Sequence, residues 1–258
     1  MGRVNLAAAL IGTQSLREAR GLLDENIALA ASAGHQRLEG NCLELRAQVH
    51  IQQARFSEAR ADLDRAALIF TGEQTIDQLF VRKWQAIIEG LSSGSSEAIS
   101  RFQREAEERQ HWESVREADL YQVKVKFNHE HFLRLYVGTP YESYRQRIER
   151  ELGRVPAEDS YRFGRAEGDA LDLRTGRITS ENALNPGKKI HQLFELLSRD
   201  LYRPIRLGGI FTELFQGECF DIFSSPSRVH QLIRRARRWL EETETPLLIL
   251  EDGGGGIA

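Results

Sequence analysis

Eleven residues near the C-terminus hold an unusual concentration of chemistry. Arg228, Arg234, Arg235, Arg237 and Arg238 fall within 228–238, with no acid among them. A guanidinium group is always charged and presents its donors as a fixed fork. That fork suits bidentate contact with phosphate or with guanine O6 and N7. Gln231, between the arginines, can pair in the same way with adenine. At about 100° per residue, Val229, Leu232, Ile233, Ala236, Trp239 and Leu240 share one helix face. Ser227, Gln231, Arg234 and Arg238 centre the opposite face, and Arg228, His230, Arg235 and Arg237 flank them. A helix buried on one side with a Gln/Arg stripe on the other is what reading the major groove of a duplex requires. Against this stands the ordinary origin of a charge run, a solvated helix face.

Other chemistry is weaker. His129-Glu130-His131 comes nearest to a metal site, but histidines two apart on a helix do not face each other, and no cysteine accompanies them. No metal or cofactor is expected there. The run Asp252-Gly253-Gly254-Gly255-Gly256 lacks the Lys-Ser/Thr of a phosphate loop. No Gly-x-Ser-x-Gly, His-Glu-x-x-His or kinase signature appears, so an enzyme is not expected.

The 258 residues suffice for two small domains. A hydrophobic fraction of 41% and a charged fraction of 28% describe an ordinary folded chain, and the net charge of −3 gives no global basic field. Of 35 cations 30 are arginine. Cys42 and Cys219 are too few for a disulfide framework, and both are expected as reduced core residues. Without an apolar run of about 20 residues or a signal-peptide pattern, a cytoplasmic protein with no membrane partner is expected.

Apolar residues recur with helical period over Ser15–Ala33, Arg37–Gln53 and Phe56–Phe70, separated by short breaks that imply antiparallel neighbours. Further helices are expected over Ser96–Gln110, Trp112–Phe127, Glu130–Val137 and Tyr141–Leu152, the last with Thr139 as N-cap and Pro140 in its first turn. Ser15-Leu16-Arg17-Glu18-Ala19-Arg20 aligns with Arg55-Phe56-Ser57-Glu58-Ala59-Arg60, forty residues on, and Ser96-Glu97-Ala98 echoes both. Such a period marks stacked helical hairpins. Leu43-x-x-x-Ala47, Phe56-Ser57-Glu58-Ala59 and Leu63-x-x-Ala66 resemble a tetratricopeptide (TPR) repeat, with longer helices than the usual 34-residue unit. The resemblance covers about 1–152 and implies a surface that takes a protein, a peptide or another signal. Residues 153–169, with Pro156, Gly164 and Gly168, read as a linker.

Residues 170–258 follow a distinctive order. A weak hairpin is expected around Leu171-Asp172 and Thr175-Gly176, running into Arg177-Ile178-Thr179. A helix capped by Asn185-Pro186 carries Ile190, Leu193, Phe194 and Leu197. Tyr202-Arg203-Pro204-Ile205 is extended, and Leu207–Gln216 forms a second helix. The basic helix over Arg228–Glu242 follows, with Ser227 as its cap. A strand at Leu247–Leu250 then meets the glycine turn. This order, with Leu184-Asn185-Pro186, Leu193-Phe194-Glu195-Leu196-Leu197, Arg203-Pro204-Ile205 and Val229-x-x-Leu232-Ile233, resembles the winged helix-turn-helix of the OmpR/PhoB type. Lys188 stands where that family usually has Glu, and 182–258 hold ten basic and ten acidic residues. Residue 1 falls inside what resembles a first repeat and residue 258 inside the wing, as in a piece of a longer protein.

The expected fold is therefore mainly α, a TPR-like antiparallel helical-hairpin array followed by a winged helix with short strands. The resemblance implies a bacterial transcription regulator that binds double-stranded DNA. Ser227, Arg228, Gln231, Arg234, Arg235 and Arg238 would form its interface. Gln231, Arg234 and Arg238 would meet bases, and Arg228 and Arg235 phosphates. Palindromic half-sites would require a homodimer. The other reading is a protein-interaction scaffold whose winged helix serves self-association or partner docking.

Overall fold

The computed structural model describes residues 2–71, 75–156, 160–162, 170–172, 188–245, 247–251 and 255–257. The chain is mainly helical and divides into two compact units, 1–128 and 129–258.

The first unit is a succession of helices: α1 (Gly2–Gly12), α2 (Leu16–Ser32), α3 (Gln36–Gln52), α4 (Phe56–Ile69), α5 (Ile76–Ser93), α6 (Glu97–Glu108) and α7 (Trp112–Val125). Each packs on the next, and α1 also touches α3, α3 touches α5 and α5 touches α7. The odd-numbered helices thus form a continuous layer, as stacked hairpins do. The sequence period is present in the backbone. Gln14, Ala54 and Gly94, forty residues apart, all take the left-handed conformation, with φ of 65°, 57° and 72°. At the first two, the amide of the following residue closes the helix end, Ser15 N–H donating to Leu10 O and Arg55 N–H to His50 O, each at 2.9 Å. Ala7 and Ala47, and Ala19 and Ala59, are fully buried at the same period. α1 and α5 lie outside the stretches that periodicity singles out.

Polar groups also tie this unit together. Arg46 on α3 donates to Asp24 on α2 at 2.7 Å and to both oxygens of Asp62 on α4 at 2.6 and 2.8 Å. Its charge compensates the buried Asp62 carboxylate. His50 lies 3.6 Å from Asp62, yet burial holds its imidazole below the ordinary 6.5, outweighing the upward pull of that carboxylate. Burial and Lys83 lower His111 in the same direction.

The second unit opens with α8 (His129–Val137) and α9 (Glu142–Leu152). The expected division at residue 152 therefore differs from the compact units. Leu201 N–H donates to Gly138 O at 3.0 Å, and Val137 packs with Leu201, Trp239 and Leu247, which binds α8 to the C-terminal residues. Thr139 is not a cap of α9. Its hydroxyl donates to Leu135 O at 2.6 Å and closes α8, while Tyr141 precedes α9. Two short antiparallel sheets follow. β1 (Ser160–Arg162) pairs with β2 (Ala170–Asp172), so Leu171-Asp172 is extended as expected, but against an upstream strand. The expected turn at 175–176, the strand at 177–179 and the Asn185-Pro186 cap lie outside the described residues. α10 (Lys189–Leu197), β3 (Ile205–Arg206), α11 (Leu207–Leu214), α12 (Ser225–Glu242) and β4 (Gly256–Ile257) complete the unit. β3 pairs with β4, and Glu251 bridges to Ile257.

Two predictions follow from the first unit. A non-glycine residue in the left-handed region costs roughly 1–2 kcal/mol, part of which glycine returns as unfolded-state entropy. Ala54→Gly should therefore leave stability unchanged or raise it by up to about 1 kcal/mol in urea unfolding, whereas Ala59→Gly inside α4 should lower it by at least about 1 kcal/mol. Equal losses at both positions would contradict the backbone assignment. The two depressed histidines set a pH dependence. As the pH falls below 6.5, the unfolded chain binds protons that the folded chain resists, so stability declines. The urea midpoint should drop between about pH 7.5 and about pH 5.5, and His50→Gln/His111→Gln should shrink that drop. An undiminished drop in the double variant would refute this origin.

Candidate nucleic-acid interface

The basic helix is held by its apolar face. Val229, Leu232, Ile233, Ala236 and Leu240 on α12 are buried against Leu193, Phe194 and Leu197 of α10, Ile210, Phe211 and Leu214 of α11, and Ile249 and Ile257. Trp239 completes the contact, its ring centroid 5.4 Å from that of Phe194. Each buried aliphatic side chain contributes about 1.5–3 kcal/mol of transfer free energy, so the rotation of the helix about its axis is fixed. The opposite face is consequently exposed: Ser227, Arg228, Gln231, Arg234, Arg235 and Arg238 all lie open to solvent, with His230 beside them.

The helix begins earlier than expected. α12 starts at Ser225, with Pro226 in its first turn and Ser224 preceding it, so Ser227 is not its cap. Proline in the first turn loses no hydrogen bond, and in sequence Pro226 signals this earlier start. Asp221 accepts from the amides of Phe223 and Ser224 at 3.1 and 2.7 Å and from the Ser224 hydroxyl at 2.9 Å. Those bonds, Ser224's foremost, hold its carboxyl below the ordinary carboxylate range. The Asp221 amide donates in turn to Ser225 Oγ at 2.9 Å.

The five arginines separate into two groups. Arg228 is engaged by both oxygens of Glu218, and its guanidinium lies over the Phe215 ring at 4.2 Å and the Phe211 ring at 5.4 Å. The Arg228 hydrogen bond holds the Glu218 carboxyl below its usual range. Arg237 donates to Ile249 O from Nε and Nη2, at 3.1 and 2.9 Å, and to Glu251 at 3.2 Å, bracing the segment that leads to β4. Arg234, Arg235 and Arg238 have no ion-pair or hydrogen-bond partner among the described residues. Four acids of neighbouring segments are occupied elsewhere: Glu213 with Arg199 at 3.6 Å, Glu218 with Arg228, Asp221 with backbone amides, and Glu251 with Arg237, whereas Glu241 and Glu242 lie exposed at the C-terminal end of α12. The expectation that Arg228 is available to a phosphate thus meets a guanidinium already bound.

The bracing role of Arg237 and the clamp of Glu218 escape sequence reasoning, because each joins residues ten or more apart across an irregular loop. Cys42 is buried, and burial pushes its thiol up, but Cys219 is exposed in the turn after α11 rather than in the core. Phe220, Ile222 and Phe223 in the same turn are exposed too. The strand expected at Leu247–Leu250 does not form, and those residues take no regular secondary structure. Among the described residues no group of three His, Cys, Asp or Glu side chains could hold a metal ion, and no helix is long and apolar enough to cross a membrane.

Arg237→Ala should loosen the segment it braces. Amide exchange at Glu251, Gly256 and Ile257 should accelerate while α10–α12 amides remain protected, with a global loss of about 1 kcal/mol for a partly exposed charged pair. Unchanged exchange at those three amides would show that Arg237 is not the brace. Compared with known proteins, the chain matches no family model, no curated sequence and no solved structure.

Proposed function

We propose that the chain is a bacterial transcription regulator in two parts. A TPR-like helical region takes a protein or peptide signal, and a C-terminal winged helix binds double-stranded DNA through the exposed face of α12. The observation that carries this reading is the set Arg234, Arg235 and Arg238, exposed and without partners among the described residues on a helix whose other face is core. Arg234 and Arg238 are i, i+4 neighbours, and like charges at that spacing cost a helix a few tenths of a kcal/mol. An anionic ligand converts that repulsion into attraction. The order α10, β3, α11, α12, β4 supports a winged-helix reading, with β3–β4 and the Glu251–Ile257 bridge as its small sheet. In this assignment Gln231, Arg234 and Arg238 meet base edges and Arg235 a phosphate. Arg228 orders the preceding turn through Glu218.

A second reading has its own observation. Ile222 and Phe223 are 71% and 85% exposed in the turn before α12, a surface suited to a protein partner in a scaffold. The two readings separate at the arginines. In gel shifts at moderate salt, Arg234→Ala/Arg238→Ala should lower DNA affinity roughly ten- to hundredfold and flatten the dependence of log affinity on log salt. Unaltered DNA binding by the double variant, or no binding by the parent chain, would favour the scaffold.

A further inference from the structure

Charge is ordered along the outward stripe of α12, bases first and acids after them. We infer that this stripe is a docking face for a second copy of the chain, laid antiparallel across it. The inference gives the scaffold reading a definite partner. It does not rest on the DNA-binding reading, which uses the same arginines.

With Arg234 as origin and about 100° per residue, Arg238 lies at about 40°, Glu241 at about −20° and Glu242 at about 80°. One face thus carries both signs in sequence. All four side chains are exposed, as are Arg235 beside them and Glu244 just past the helix end. None of these six has an ion-pair partner among the described residues. Within one helix the order is unfavourable. Cations are stabilised at a helix C-terminus and anions at its N-terminus, and an acid four residues after a base is the weaker orientation of such a pair. α12 has no acid in its first turn and no base in its last, where Glu241 and Glu242 crowd the carbonyl end. The stability of α12 itself therefore does not account for the pattern.

An antiparallel second copy reverses each of these costs. It opposes the helix dipole and brings its arginines alongside the acidic last turn. The charges also restrict the register. A two-fold axis level with Arg238 would set the two Arg238 guanidinium groups against each other. With the axis level with residues 239–240, Arg238 falls between Glu241 and Glu242 of the second copy. Arg234, one turn further, reaches toward Glu244 of that copy, and symmetry repeats each contact.

Apolar surface adjoins the acidic end. A groove of about 380 Å³ runs between the last turn of α12 and the residues after it, lined by Leu240, Glu241, Glu244, Leu248 and Leu250 among others. Leu248 and Leu250 are 80% and 60% exposed. The methylene stem of an incoming Arg234 covers these leucines while its charged head stays with Glu244. Each exposed ion pair strengthens association only about 1.5- to fivefold, so the pairs mainly set the register and the leucines add the remainder. A contact of two helix turns is small, and the dimer is expected to be weak.

The test is sedimentation of the whole chain over roughly 10–300 µM, at about 0.05 M and about 0.5 M salt. The expected result is a monomer–dimer equilibrium that weakens severalfold at the higher salt. Arg234→Glu/Arg238→Glu and Glu241→Arg/Glu242→Arg should each weaken self-association at least about tenfold. Mixed in equal amounts, the two variants should form a one-to-one pair at least as tight as the parent dimer, because one stripe is then acidic and the other basic. Thermal melts of both variants matching the parent make the mixture decisive. A chain that is monomeric under all these conditions would overturn the inference. So would a dimer indifferent to both charge reversals, or a mixture that stays monomeric. Retention of a duplex is scored separately. A chain that dimerises in this way but retains no duplex loses the DNA reading and keeps the dimer. One that retains a duplex yet never self-associates keeps the DNA reading and loses the dimer.

Discussion

Burial of Val229, Leu232, Ile233, Ala236 and Leu240 is the constraint on which the C-terminal unit depends. These five side chains lock one face of α12 against α10, α11 and the residues around β4, and the helix cannot rotate without exposing them. Everything outward follows from that. Gln231, Arg234 and Arg238 are aligned and open because their neighbours one and two positions away are buried. The short elements contribute by completing the floor: α11 brings Ile210, Phe211 and Leu214, and β4 brings Ile257. None of these elements is long enough to be stable alone, so the basic face exists only when the whole unit folds.

The first unit solves a different problem. Its helices stack by repetition, and the geometry that permits repetition is local: a left-handed residue at 14, 54 and 94 turns one helix onto the next. Only one of the three is glycine, so the conformation is imposed by packing on both sides of each turn and not by backbone freedom alone. Polar connections are added across helices that already pack closely. Arg46 joins α2, α3 and α4 through two carboxylates, one of them buried, so that losing the arginine would leave Asp62 an uncompensated charge.

Sequence and structure agree where signals are local and repeated. Ser15 to Arg20 and Arg55 to Arg60 mark the starts of α2 and α4 correctly, since the apolar positions of each hairpin recur at one period. The α12 faces are also legible, because 3.6-residue periodicity separates Val229, Ile233 and Leu240 from Arg234 and Arg238 without ambiguity. α1 is harder to see, as Ala7, Ala8 and Ala9 give both faces similar apolarity. What escapes is set by tertiary contact. The attachment of α8 to the C-terminal unit depends on Leu201 meeting Gly138, more than sixty residues away in sequence. The partners of Arg228 and Arg237 depend on how two loops close, and Cys219 looks like a core residue only until the turn carrying it is seen to face outward.

The neutrality of the C-terminal residues then has a specific structural meaning. Acids and bases balance over 182–258, which taken alone argues against an anionic ligand. The balance is not uniform in space, because Glu213, Glu218 and Glu251 are each matched to one arginine, and Asp221 to backbone amides. Those matched groups contribute little field beyond their own contacts, since an ion pair's potential falls off faster than that of a single charge. Arg234, Arg235 and Arg238, without partners among the described residues, therefore set the local sign in the middle of α12, while the exposed Glu241, Glu242 and Glu244 oppose them at its C-terminal end and the far field of the unit stays weak. A binding surface of this kind gains little from long-range steering, which depends on net charge. On the DNA-binding proposal its affinity comes from close contact, where a guanidinium fork distinguishes one base pair from another. A weak far field with arginines that have no partner among the described residues then favours selectivity over non-specific adhesion, because less of the affinity is independent of sequence.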